Sequence, residues 1–236
     1  MATRPFFSPK LDSVGVEELS VSFAWNPGFA VSQKQKNVAA LHSAIKKVDA
    51  SKRPLEVSSK STMGIGANLS AFNLGVRKGH SLYTVESVFQ ASKVFSGGIG
   101  PFPELYAENP SQVRAIVREK ATSPLVAFKY GTELWSLRPT RAFYDWIYCR
   151  ALNANPELVE GLCGFDCFTD IEFNPRKSLN CQAYAVALYQ SFVHAHVLEE
   201  ALSSKEAFLR FHPKDVLSTH KEVIDAANSE QLTLGL

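Results

Sequence analysis

The stretch Thr84-Val85-Glu86-Ser87-Val88-Phe89-Gln90-Ala91-Ser92-Lys93-Val94-Phe95 constrains the fold more than any other, because its strongly polar side chains share one helical face. At about 100° per residue, Glu86, Gln90 and Lys93 point one way, while Val85, Val88, Phe89, Ala91, Val94 and Phe95 take the other directions. Thr84 suits the N-cap, and Glu86 in the first turn suits the helix dipole. Such a helix is buried nearly all round. A carboxylate, an amide and an amine on it must then be matched by one another, by a ligand or by a cavity, since an unmatched buried charge costs several kcal/mol. A partly exposed amphipathic helix with a solvated Glu/Lys stripe is the alternative reading.

With 236 residues and 45% hydrophobic content, the chain can bury a sizeable core, read here as one domain with terminal elaborations. The expected boundaries are an N-terminal extension over 1–54 packed on the core, a catalytic domain over 55–200 and a C-terminal helical extension over 201–236. A net charge of +2 is too mild to announce nucleic-acid binding and leaves room for a local basic patch. The residues from Met1 to Pro9 lack an apolar signal region, and no apolar run approaches the ~18 residues of a membrane span. A soluble, cytoplasmic protein without a membrane partner is expected. Cys149, Cys163, Cys167 and Cys181 would then stay reduced. Cys163 and Cys167 have ligand-like spacing, but no second close Cys or His pair completes a zinc site, so no metal and no cofactor are expected. His194 and His196, two apart in a helical pattern, face nearly opposite sides.

Period-2 alternation over Ser20–Trp25, closed by Asn26-Pro27-Gly28, predicts a strand and turn. Val38, Leu41, Ala44, Ile45 and Val48 predict a helix from Ser32 to about Val48. Its Lys34, Lys36, Lys46 and Lys47 serve either solubility or contact with a phosphate backbone. Leu55-Glu56-Val57 begins a strand that runs into a hydroxyl-rich and glycine-rich loop, Ser58 to Asn68. Leu82-Tyr83 leads into the opening helix, and Ser96-Gly97-Gly98-Ile99-Gly100-Pro101 reads as a loop able to close over a ligand. Helices are predicted from Phe143 to Arg150 or Ala151, from Pro156 to Leu162, and, long and amphipathic, from near Asn180 through Ala195. The fold class is α+β, mostly helical with a few short strands.

These segments resemble the NADAR family of N-glycosidases. Ser59-Lys60-Ser61 through Gly66-Ala67-Asn68-Leu69-Ser70-Ala71-Phe72 is similar to the family's lysine, glycine-rich turn and Leu-Ser-Asn-Phe signature. Thr84 to Phe95 resembles its Thr-x-Glu-His-x-Phe-Gln-Ala-x-Lys-Phe motif. Asp170-Ile171-Glu172-Phe173-Asn174 with Ser178-Leu179-Asn180 resembles its late Asp loop and Asn. The chain departs from the family at Ala71, where relatives have Asn, and at Ser87, where they have His. The likeness covers roughly residues 55–195, and implies a NADAR fold. Trp25 to Ala30 and Gln33-Lys34-Gln35-Lys36 resemble the branch found beside DarT-type DNA ADP-ribosyltransferase toxins. That resemblance implies an antitoxin whose substrate is DNA ADP-ribosylated on guanine, whose product is ADP-ribose and whose partner is a DarT-type toxin.

Cleaving such an N-glycoside requires a proton for the leaving nitrogen and stabilisation of the anomeric carbon. A lysine amine achieves the second task by attacking that carbon and forming a Schiff base once the ribose opens. On the resemblance, Lys60 is the candidate nucleophile and Glu86 the proton shuttle. Ser61, Gly66, Ser70, Phe72, Asn73, Phe89, Gln90, Lys93, Asp170 and Asn180 are the candidate substrate-binding residues. Gln90 and Asn73 would read ribose hydroxyls, and Lys93 would face the pyrophosphate or hold Glu86. An ion pair that merely fixes the helix is the rival role for Glu86 and Lys93, and a helix cap the rival for Asn180. Two other functions use the same core: an N-glycosidase acting on a small phosphorylated metabolite of the riboflavin-pathway type, and a noncatalytic ADP-ribose reader.

Overall fold

A computed structural model describes residues 1–175, 178–214 and 223–224. In chain order its elements are β1 (Ala2–Pro9), β2 (Val16–Phe23), α1 (Val31–Val48), β3 (Pro54–Glu56), α2 (Gly64–Asn68), β4 (Gly75–Lys78), β5 (Ser81–Thr84), α3 (Val85–Ala91) and β6 (Lys93–Phe95). There follow α4 (Pro110–Lys120), β7 (Leu125–Tyr130), β8 (Glu133–Trp135), α5 (Ala142–Asn153), α6 (Pro156–Gly161), β9 (Cys167–Thr169), α7 (Gln182–His194), α8 (Leu198–Ser203), α9 (Lys205–Phe211) and β10 (Val223–Ile224). This is the α+β class the sequence predicts. Among the described residues no helix is long and apolar enough to cross a membrane.

The main sheet has the order β10-β2-β1-β9-β3. Residues 1–54 supply β1 and β2 to it as a hairpin, in register from Ala2 opposite Phe23 to Pro9 opposite Val16. Side chains alternate across a strand, which sorts the two faces. Phe6, Val21, Phe23 and Cys167 pack with Val38, Leu41 and Ile45 of α1. Phe7, Leu55 and Phe168 turn to the opposite face, into the large core that contains α5 and α7. β3 and β9 run parallel with Glu56 opposite Thr169, so their C-terminal ends deliver Ser58 and Asp170 to the same edge.

Three elements differ from expectation for identifiable reasons. The strand predicted over Ser20–Trp25 is β2, ending at Phe23. Trp25 lies beyond it, with the cations of Arg4 and Lys34 5.3 and 5.9 Å from its ring centroid. The helix predicted to reach Phe95 stops at Ala91, because the Ala91 carbonyl accepts from the Phe102 N–H at 2.6 Å instead of continuing the helical ladder. The freed Phe95 N–H donates to Ile99 O, and Lys93–Phe95 become β6 against β7. The loop expected around Gly64–Asn68 holds a short helix, in which Ala67 N–H donates to Met63 O at 3.1 Å.

The last long helix, α7, is buried from Gln182 to Tyr189 rather than amphipathic there, since it lies between β1 and β9 on one side and α5 on the other. His194 is its last residue and His196 lies just past it, at a positive φ of 55°. Within the expected C-terminal helical extension, the described residues form the second half of α8, all of α9 and the short strand β10, which pairs parallel with β2. Residues 215–222 and 225–236 lie outside the described residues.

Candidate active site

One polar cluster lies along α3 and a second at the C-terminal ends of β3 and β9. The first is carried by α3. Thr84 caps this helix by accepting from Ser87 N–H at 3.1 Å, and Glu86 in its first turn is only 7% exposed. Gln90 Nε2 donates to Glu86 Oε1 at 2.9 Å, and Lys93 Nζ donates to Gln90 Oε1 at 2.6 Å. The amide thus bridges carboxylate and amine, and the solvated-stripe reading does not hold for the buried Glu86. Burial lowers the Lys93 pKa, with Arg114 acting in the same direction and Glu86 opposing it.

Arg114, from α4, completes this cluster. Its Nε lies 3.3 Å from Glu86 Oε1, and its guanidinium carbon lies 5.9 Å from the centroid of Phe72. Phe89, by contrast, turns into the core. Its ring packs on Phe128 at 5.2 Å and Tyr144 at 5.1 Å, although Lys93 Nζ approaches it at 5.3 Å.

The second cluster joins Asp170 to a carboxyl in the middle of an apolar strand end. Glu56, fully enclosed, accepts from Ser58 Oγ and Thr169 Oγ1 at 2.6 Å each and from Ile171 N–H at 2.8 Å. Burial raises its pKa to about 7 against the pull of these donors, with Glu172 adding to the rise. Asp170 accepts from the N–H groups of Glu172 and Phe173, and burial together with the Glu56 charge pushes its pKa well up. Burial and the proximity of two like charges favour the protonated form of both carboxyls. Thr169, having donated to Glu56, accepts from His42 Nε2 at 2.9 Å, which assigns the Nε2–H tautomer. Burial, then Lys46, lowers the His42 pKa to about 4, so this imidazole is neutral.

Tyr144 of α5 lies within electrostatic reach of both clusters. Burial, then the charges of Glu86 and Asp170, among others, push its pKa well up, so both carboxyls act on one phenol.

The loop between β3 and α2 closes the edge. Lys60 N–H donates to Ser58 Oγ at 3.1 Å, while Lys60 Nζ donates to its neighbour Ser59 Oγ at 3.0 Å. Its amine therefore has its hydrogen bond within the loop, not with the Glu86 cluster. Ser61 Oγ accepts from Met63 N–H, Ser70 is buried with its Oγ accepting from Phe72 N–H at 3.4 Å, and Asn73 donates to Ala67 O at 2.8 Å. Gly66 lies against the Glu56 carbonyl and Ser61 Oγ, where a Cβ would overlap both. Asn180 does not cap α7, whose N-cap is Cys181; its buried Oδ1 has no hydrogen-bond partner among the described residues. The structure thus gathers Glu86, Gln90, Lys93 and Phe72, sets Asp170 beside Glu56, and leaves Lys60, Ser61 and Asn73 engaged within their own loops.

The candidates read from the sequence do not include Glu56, His42 or Arg114. Glu56 had a signal, a carboxylate flanked by Leu55 and Val57 in a buried strand. His42 and Arg114 had none, because each acquires its role from a partner far along the chain. Cys163 is exposed while Cys167 is buried in β9, and among the described residues no three His, Cys, Asp or Glu side chains converge as a metal site. A separate open cavity of about 750 Å³ lies at the other end of β3 and β9, where Lys10, Lys52 and Arg53 are offset by Asp12, Glu17 and Asp166.

A family model described as DarT1-associated NADAR antitoxin matches residues 2–222. The chain belongs to this DarT1-associated NADAR antitoxin family. No curated protein matches it.

Proposed function

We propose that the protein is a cytoplasmic glycohydrolase that removes ADP-ribose from guanine in DNA and so acts as antitoxin to a DarT1-type ADP-ribosyltransferase. The observation that carries this reading is the line Glu86–Gln90–Lys93, a buried carboxylate and a half-buried amine of lowered pKa held one amide apart. Glu86 donates a proton to the guanine nitrogen as the bond to the anomeric carbon breaks, and afterwards takes one from water. An amine captures that carbon, the ribose ring opens to an iminium, and water expels the amine to give free ADP-ribose. One water is consumed and the enzyme is regenerated.

The family resemblance puts the amine at Lys60, and the geometry favours Lys93. A nucleophilic amine must be neutral, and burial lowers the pKa of Lys93. On this reading Lys60 closes the mouth of the site, and Asp170 with the orphaned Asn180 Oδ1 meets the ribose or base.

Borohydride added during turnover of a guanine-modified oligonucleotide tests the mechanism. A reduced ribosyl adduct is expected on the peptide containing Lys93, and an adduct on Ser59-Lys60-Ser61 would move the chemistry to the loop. Product accumulating with no adduct on either amine defeats the covalent route. Glu86→Gln should keep ligand affinity while turnover falls roughly 100-fold or more. Binding without turnover by the native protein would make it an ADP-ribose reader. Release of ribose phosphate from a small metabolite, with no action on DNA, would replace the substrate.

A further inference from the structure

We infer that the Arg114/Arg118 face of α4 is a phosphate track, by which the site takes its modified base within a polynucleotide strand in preference to a free nucleoside. The inference rests on the glycohydrolase reading for its substrate and on the geometry of α4 for its content.

Arg114 is anchored at one end only. Its Nε meets Glu86, yet the side chain is 58% exposed and its terminal nitrogens have no hydrogen bond among the described residues. A guanidinium fixed at Nε with its terminal donors turned to solvent is ready to take a phosphate.

Arg118 lies four residues on, exposed on the same helical face and about 6 Å further along the axis. α4 has no acidic residue in its first turn and carries Arg118 and Lys120 in its last, on either side of one carboxylate, Glu119. A ligand that ends at Glu86 has no need of Arg118. A strand that continues past the modified base brings its next phosphates along the helix, where the two arginines follow one another. Phe72, half-buried beside Arg114, offers a ring face for a flanking base. With a net charge of only +2 over the whole chain, this pairing of exposed arginines at the site is a local concentration and not a general basicity.

The test compares ADP-ribosylated guanine in a single-stranded oligonucleotide with the same adduct as a nucleoside. Arg118→Gln should lower kcat/KM on the oligonucleotide by about tenfold and leave the nucleoside unaffected, and it should reduce the slope of log affinity against log salt by about 0.7, the share of one phosphate on a single strand. Arg118→Lys should restore the salt slope. Loss of equal size on both substrates, or no loss on the oligonucleotide, would overturn the track. Affinity for the modified oligonucleotide, measured by fluorescence anisotropy at several salt concentrations, needs no turnover. If the native protein cleaves neither substrate, the glycohydrolase reading fails, and the anisotropy slopes still decide the track.

Discussion

Glu56 shows how much of this site is written in protonation. Its carboxyl carries an ordinary value of 4.5 to about 7 on folding, and Asp170 shifts the same way. Such a group holds a proton in the fold that the unfolded chain has released, so the Glu56 contribution to stability is full below pH 4.5 and is lost as the pH rises to about 7. His42 has the opposite sign. Its value falls from 6.5 to about 4, so its contribution is present above 6.5 and lost as the pH falls towards 4. Removing the first term should unmask the second. Glu56→Gln is expected to gain stability relative to the native protein between about pH 5 and about pH 7.5, as measured by urea midpoints across that range. Parallel pH curves for the two proteins would show that Glu56 does not titrate there.

At the scale of elements, the site depends on the close passage of α2 over the end of β3. Gly66 is the contact point, and a side chain there would collide with the Glu56 carbonyl, a backbone atom that cannot swing aside. Gly66→Ala should therefore cost about 1–3 kcal/mol by overpacking and pull the Lys60 loop away from Ser58. Denaturant unfolding measures the first effect. Hydrogen exchange at the Lys60 amide, which donates to Ser58 Oγ, measures the second. Gly64→Ala serves as the control, since a Cβ there meets nothing within 4 Å. A loss equal to that of the control would show that the close approach does not hold the loop.

Across the whole molecule, distant parts of the chain converge on the same core. Residues 1–54 provide two strands of the main sheet and, through His42 and Lys34, a wall of the site; Lys34 Nζ pairs with Glu172 Oε1 at 3.0 Å. The C-terminal helices are fastened by His212, whose Nε2 meets Asp145 Oδ2 at 2.9 Å with both side chains buried. Asp145 Oδ1 already lacks a hydrogen bond, so His212→Ala strands the carboxyl entirely. The expected loss is about 3–5 kcal/mol of folding stability, read by chemical denaturation. The double variant His212→Ala with Asp145→Asn should recover part of it, and no recovery would assign the loss to the packing of His212 on Phe208.

The sequence by itself determined a helix starting at Val85 with its Thr84 cap and its apolar surround, because cap and periodicity are local properties of consecutive residues, and it left open whether Glu86, Gln90 and Lys93 faced solvent or a pocket. It also determined α1, α5, α6, α7 and the α+β class. It could not place the end of α3, which depends on a carbonyl taken by Phe102, eleven residues beyond Ala91. Nor could it find Glu56, His42 and Arg114, whose chemistry arises from Thr169, Ile171 and Glu86 brought to them by strand register and helix packing. Short-range pattern sets what a segment can be. Burial and long-range pairing decide which carboxyl keeps a proton, which amine loses one, and which arginine is left facing solvent.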